Sequence, residues 1–167
     1  MALKLYKPHD LSRDEISNIF CQLFQEAYGD TYRGDAALLR KLGEASVGIL
    51  RLTENRVDAG CVVGAGGRIT TIGTAPGHIV SRFNRMVSFL EEVRDKECAT
   101  WISIGLQYDR MQEAARQAGF TPLHDGHQAL ALVNGTGELS RYRITAGGSD
   151  PVILEKNGYN QHIWTPR

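Results

Sequence analysis

Three consecutive runs in the middle of the chain switch from helical to alternating periodicity, and this most restricts the possible folds. Residues 46–53 (Ser-Val-Gly-Ile-Leu-Arg-Leu-Thr), 57–63 and 68–74 each read as a strand. They are joined by Glu54-Asn55-Arg56 and by Gly64-Ala65-Gly66-Gly67, both turn-forming. Strands in sequence with tight turns make an antiparallel meander. A long amphipathic run follows Pro76-Gly77, starting near Val80, with Phe83, Met86, Val87, Leu90 and Val93 on one helical face. Thr100 to Leu106 is then a strand with an almost continuous apolar face. A helix between two strands is a crossover, so this strand is expected parallel to the third meander strand.

The flanks complete the pattern. Leu3 and Leu5 alternate with polar neighbours before Pro8, a short first strand. Ser12 and Glu15 form a capping box ahead of Ile16, Ile19, Phe20, Leu23, Phe24 and Ala27, so 12–28 is read as a helix ended by Gly29. A second helix is expected at 35–42, closed by Gly43. A short Ala-rich helix carries Met111, Ala114, Ala115 and Ala118, with Gly119 at its C-cap. Residues 120–123 and 128–133 are read as a closing hairpin around His124-Asp125-Gly126-His127. Asn134-Gly135-Thr136-Gly137 is read as a linker, and 138–167 as a C-terminal arm with short strands near 139–145 and 151–155. The expected fold is α+β: a mixed sheet built from a meander and one parallel crossover, with helices on both faces, over residues 1–133.

Composition sets the function classes. Lys plus Arg and Asp plus Glu are both 19, a formal net charge of zero, so a basic nucleic-acid binder is not indicated. At 42% apolar and 23% charged, the 167-residue chain is an ordinary globular one that buries roughly 70% of its unfolded surface. Cys21, Cys61 and Cys98 are odd in number and widely spaced, which implies free thiols in a reducing compartment. No apolar run reaches the roughly 20 residues of a membrane span, and the first residues lack a leader pattern. The expected setting is the inside of a cell, or packaging there.

Charge is nonetheless uneven. From Ala59 to Leu90 there is no Asp or Glu, while Arg68, Arg82 and Arg85 give +3, with His78 among them. This stretch contains the turn from the third meander strand into the long helix, where free backbone amides and the helix dipole favour a phosphate. Ile72, Gly73, Thr74, His78, Ser81 and Arg82 are the candidate ligands of such an anion. Tyr108 follows the parallel strand directly and is the candidate general acid. Gly64 to Gly67 leads into a strand and not a helix, so it is a turn and not a nucleotide loop. His124, Asp125 and His127 lack a fourth ligand at suitable spacing, so no metal site is assigned. Tyr142, Tyr159 and Trp164 in the arm either pack back on the domain or anchor a partner.

This order of elements resembles the GNAT superfamily of N-acyltransferases over residues 1–133. Trp101 to Leu106 fits that family's parallel strand, and Ala115-Arg116-Gln117-Ala118-Gly119-Phe120 its next helix end. The resemblance implies an acyl-CoA pyrophosphate loop between the third meander strand and the long helix. His78 then stands at the loop's Gln/Arg position, Ser81 at its first Gly and Phe83 at its second; an alternative register uses Gly77 and Ile79. Ala115 occupies the position of the family's acidic Tyr, and Tyr108 that of a common Asn. Gly73 is the candidate for the bulge that opens a cleft between the central strands. The segment Phe83 to Phe120, with Arg94-Asp95-Lys96 and Trp101, is similar to short GNAT-like proteins of podophages linked to internal head structure and virion morphogenesis. That likeness implies a structural protein acting through protein contacts or self-association by its arm. The wider family implies the alternative, an acetyl-CoA-dependent N-acetyltransferase acting on an amine.

Overall fold

A computed structural model describes residues 2–166 apart from Ser12 and Ala146. The expected capping role of Ser12 therefore lies outside the described residues. The meander forms as its periodicity predicts: β1 (Ala2–Tyr6), β2 (Val47–Thr53), β3 (Arg56–Val63) and β4 (Arg68–Thr74) pair antiparallel in that order. Strand β5 (Trp101–Gly105) joins β4 in parallel, as the crossover requires. Helix α1 (Pro8–Leu11) and the helices α2 (Asp14–Tyr28) and α3 (Asp35–Glu44) precede β2. Helix α4 (Ile79–Arg94) makes the crossover, and α5 (Asp109–Gln117) follows β5.

Alternation sorts the core into two faces. Leu50 and Val62 point to Phe20, Leu23 and Phe24 of α2 and to Leu38 and Leu42 of α3. Ile49, Cys61, Ile69, Ile102 and Ile104 point the other way, to Phe89, Leu90 and Val93 of α4 and to Ala114 and Ala115 of α5. Gly43 lies inside α3 and does not end it, because the chain turns out at Ala45.

Two readings of the second half are corrected. Residues 128–133 belong to a helix, α6 (Gly126–Gly135), and not to a strand. Asp125 starts it: its carboxylate accepts from the amides of His127 (2.8 Å) and Gln128 (3.3 Å). Ala129 and Val133, four residues apart, are both fully buried on one helical face. Helix α6 also takes in Asn134 and Gly135, half of the expected linker.

The segment 138–167 is read as an arm, but its described residues up to Pro166 are built into the sheet. Strand β6 (Phe120–Pro122), β7 (Arg143–Thr145), β8 (Ile153–Lys156) and β9 (Tyr159–Pro166) complete nine strands in the order β1-β2-β3-β4-β5-β9-β8-β7, with β6 on β9. Strand β9 is central. It pairs antiparallel with β5 on one side, and with β8 and β6 on the other. Ile163 and Trp164 are both buried because this strand is covered on both faces. Tyr142 packs against the core and its hydroxyl accepts from Arg68 (2.8 Å), while Tyr159 stays exposed. Arg68 also donates to the Ser103 hydroxyl (3.1 Å), pairs with Glu138 and lies over the Trp101 ring, tying residues 138–142 to β4 and β5.

Candidate active site

The sheet opens where β4 and β5 part. Their parallel pairing consists of Arg68 with Trp101 and Ile69 with Ile102, and then stops. On the other edge of β4, the register with β3 shifts between Val62–Thr71 and Val63–Ile69, leaving Thr70 as an extra residue. A bulge bends its strand and raises the local twist. Here it falls directly after the last residue that β5 holds. The bulge expected at Gly73 is thus at Thr70. Gly73 instead permits a close approach. A Cβ there would lie 2.9 Å from the Ala27 Cβ and 3.0 Å from Phe24, so only glycine lets the end of α2 settle on β4.

The parting strands enclose an open groove of about 770 Å³. Ile72, Gly73, Thr74, Arg82 and Tyr108 line it, so five of the residues singled out in the sequence meet at one place. The Tyr28 hydroxyl, at the end of α2, donates to the Ile72 carbonyl (2.7 Å). A strand residue directs its N–H and C=O to the same edge, and Gly73 is paired with Gly60 on the opposite edge. Ile72 and Thr74 therefore turn their amides into the gap. Loss of solvent raises the Tyr28 phenol above its ordinary value of 10.0, and the Tyr108 phenol across the groove adds to the rise. Tyr108 itself is 60% exposed, its ring stands over Gly105, and its hydroxyl has no hydrogen-bond partner among the described residues. Tyr28 carries no motif, and in the sequence it is only the last aromatic of an amphipathic helix.

His78 and Ser81 lie apart from the groove lining. His78 is the N-cap of α4, and its Nδ1 accepts from the amide of Val80 (3.3 Å). The loop between β4 and α4 is only residues 75–78, so Ser81 and Phe83 fall in the first turns of α4. Gly77 is the one glycine in the loop. Phe83 packs on the core with the Arg110 guanidinium over its ring. Ala115, at the position of the family's acidic Tyr, is completely buried among α4, α5 and the sheet.

The three arginines of the acid-free stretch also have definite roles. Arg68 is engaged with Glu138. Arg82 donates to the Ala27 carbonyl (3.1 Å), linking α4 on one face to α2 on the other. Arg85 donates to the Ala75 carbonyl (2.7 Å) and holds the β4–α4 loop. Neither Arg82 nor Arg85 pairs with a carboxylate among the described residues, and Arg82 brings its positive charge to the groove lining. The lining as a whole contains Arg33, Arg82 and Lys156 and no Asp or Glu. The β8–β9 hairpin supplies Lys156, Asn157 and Tyr159 to its rim through an Asn157-Gly158 turn with both φ values positive.

Elsewhere, His124, Asp125 and His127 do not assemble a site: Asp125 is consumed as a helix cap. Among the described residues no group of three or more His, Cys, Asp or Glu could hold a metal ion. No helix is long and apolar enough to cross a membrane, again among the described residues.

No protein-family model matches the chain, and no curated protein matches its sequence. Solved structures do match its fold. The chain is similar to a GNAT-family acetyltransferase from Bacillus cereus ATCC 10987 (TM-score 0.54, 11% identity, covering 100% of this chain and 99% of that one). It is similar to the ribosomal-protein-S18-alanine N-acetyltransferase from Escherichia coli (TM-score 0.53, 10% identity, covering 99% and 93%). An N-acetyltransferase from Staphylococcus aureus Mu50 matches at a TM-score of 0.53 and 9% identity, covering 99% and 97%. The chain therefore has the GNAT acetyltransferase fold over its whole length.

Proposed function

We propose that this protein is an acyl-CoA-dependent N-acyltransferase acting on an amine, with the groove between β4 and β5 as its active site. The observation that carries this reading is the parting of two central strands after only two paired residues, with unpaired strand amides and two phenols facing the gap. Unpaired polar backbone in a central strand is costly unless something occupies it. The lining suits an anionic ligand, since its charged side chains are Arg33, Arg82 and Lys156. When bound, an acyl-CoA supplies a thioester whose acyl carbon forms a bond to the amine nitrogen as its bond to sulfur breaks.

Ile72 and Thr74 amides are the donors that would hold the acyl oxygen, a placement that costs no reorganisation because the strand is fixed by β3. Tyr28 orients this edge by closing the Ile72 carbonyl, so that only the amide is presented there. Tyr108 is the proton donor to the leaving sulfur: it lines the groove and its hydroxyl is engaged by no other group among the described residues. No carboxylate or imidazole lines the groove, so the amine enters neutral and, as the amide forms, gives its N–H proton to water, which returns one to Tyr108. His78 caps the start of α4, and Arg82 is the cation that this helix contributes to the groove lining.

The test is thiol release from acetyl-CoA in the presence of amine acceptors. Tyr108→Phe should lower kcat by about 100-fold while leaving acetyl-CoA affinity near wild type, as expected for loss of a positioned acid. Equal kcat in the variant removes the role of Tyr108. A protein that releases no thiol with any amine, yet self-associates or copurifies with a large assembly, would instead be a structural GNAT-fold component of the kind found in virions.

A further inference from the structure

A second cleft opens beside the first, on the face that carries α2 and α3. It has a volume of about 260 Å³ and shares Tyr28, Arg33 and Thr70 with the acyl groove, so the two adjoin. Its charged residues are Arg33, Arg40 and Lys41; no Asp or Glu lines it. Lys41 is anchored on the strand through the Thr71 hydroxyl (3.3 Å). Arg33 and Arg40 make no ion pair or hydrogen bond to a side chain among the described residues. The nearest counter-charge acting on Lys41 is Glu138, and that carboxylate is already paired with Arg68. Tyr32 turns its hydroxyl to Asp35 (2.5 Å), which keeps that acid occupied.

Three cations around one cleft in a protein of zero net charge are held against their mutual repulsion. Partial loss of solvent lowers the Lys41 ammonium below its ordinary value, and the Arg33, Arg68 and Arg40 guanidiniums lower it further. An anion placed among them relieves that repulsion and accepts charge-assisted hydrogen bonds. The volume lies below the roughly 300–1,000 Å³ of drug-sized sites, which suits a carboxylate headgroup and not a second cofactor. Tyr28 and Thr70 stand at the border of the two, so a ligand anchored here lies next to the parting strands.

We propose that this cleft selects the acceptor: an amine that also carries a carboxylate, bound through Arg33, Arg40 and Lys41 with its amino group directed past Tyr28. This inference rests on the acyltransferase reading for its chemistry, but the anion site itself does not. The same carboxylate chemistry is offered by a free amino dicarboxylic acid and by a peptide with an acidic residue next to its N-terminus.

Two measurements separate the possibilities. In the first, N-acetylglutamate is titrated calorimetrically into wild type, Arg40→Gln and Lys41→Gln, with N-acetylglutamine amide, in which both carboxylates are replaced by carboxamides, as the uncharged control. Saturable binding to wild type, at least tenfold weaker in both variants and absent with the control, supports the anion site whether or not acetyl-CoA is used. No binding to wild type, or binding unchanged in the variants, overturns it. In the second, acetyl transfer is followed with glutamate, an acidic tetrapeptide, the matched amide forms of both, and a polyamine. A tenfold or greater preference in kcat/KM for either carboxylate acceptor, lost through KM in the variants while acetyl-CoA affinity stays unchanged, supports the acceptor assignment. The better of the two carboxylate acceptors identifies the source. Preference for the amide forms or the polyamine overturns the assignment. Acetyl-CoA binding without N-acetylglutamate binding defeats this inference alone, and the reverse result defeats the acyltransferase reading alone.

Discussion

Single side chains here do work that their sequence neighbourhood does not advertise. Arg51 sits in a strand otherwise read as core, and it is 1% exposed. A bulge brings Asp58 to it, and the pair is bidentate at 2.8 and 3.0 Å, with Ser88, Glu92 and the Arg85 carbonyl taking the remaining donors. Its partners are up to 41 positions away, so no local pattern reveals it. Cys21 and Cys61 are legible as buried thiols from their apolar context, and both are buried. Burial pushes the Cys61 thiol well above its ordinary 9.0, and it pushes the Tyr28 and Tyr32 phenols above 10.0. A group whose pKa is raised on folding contributes stability below its unfolded pKa and loses it as pH climbs toward the folded value. Thermal stability should therefore hold from pH 7 to about 9 and fall between about 9 and 11. Melting curves across that range check this; a midpoint that rises on the alkaline side contradicts it.

Elements with strong local signals are readable, and those defined by distant pairing are not. The helical stripe from Ile16 to Ala27 and the alternation of the meander both use their own neighbours, and both elements form, although Ile19 of the stripe stays exposed. The run Gln128 to Val133 is short and apolar, compatible with either period. The Asp125 cap decides for helix, and that signal is present in the sequence. Strand β9 escapes a local reading because Asn160, Gln161 and His162 interrupt its apolar pattern, although Asn157-Gly158 is a hairpin turn signal. The meeting of α2 with β4 is similarly invisible until the contact is seen. Gly73→Ala would force its methyl against Phe24 and Ala27, displacing the end of α2 and Tyr28 with it. The expected loss is about 1–3 kcal/mol in urea unfolding, together with weaker acetyl-CoA binding. An unchanged midpoint and affinity would show that α2 is free to shift there.

At the scale of the whole molecule, zero net charge hides a strong internal asymmetry. Both adjoining clefts are lined by cations without a carboxylate, and the acids lie elsewhere. The sequence shows this only as an acid-free stretch from 59 to 90; Arg33, Arg40, Lys41 and Lys156 join it through folding. The GNAT architecture is legible from element order, but the sheet is larger than that order implies. Its second half closes with β9 between β5 and β8, so residues 138–166 complete the core around Trp101, Val152, Leu154 and Ile163. Truncation after residue 137 should leave β5 with an unpaired edge and strip cover from Trp101. The expected outcome is an insoluble or molten product by near-ultraviolet circular dichroism; a cooperatively unfolding, soluble fragment would contradict it.

The central claim is that the gap between β4 and β5 receives an acyl-CoA. Calorimetric titration of acetyl-CoA into the wild-type protein at neutral pH tests it most directly. Saturable one-site binding, weakened by Arg82→Gln, is the predicted result. Absence of both heat and thermal shift at millimolar acetyl-CoA would contradict it.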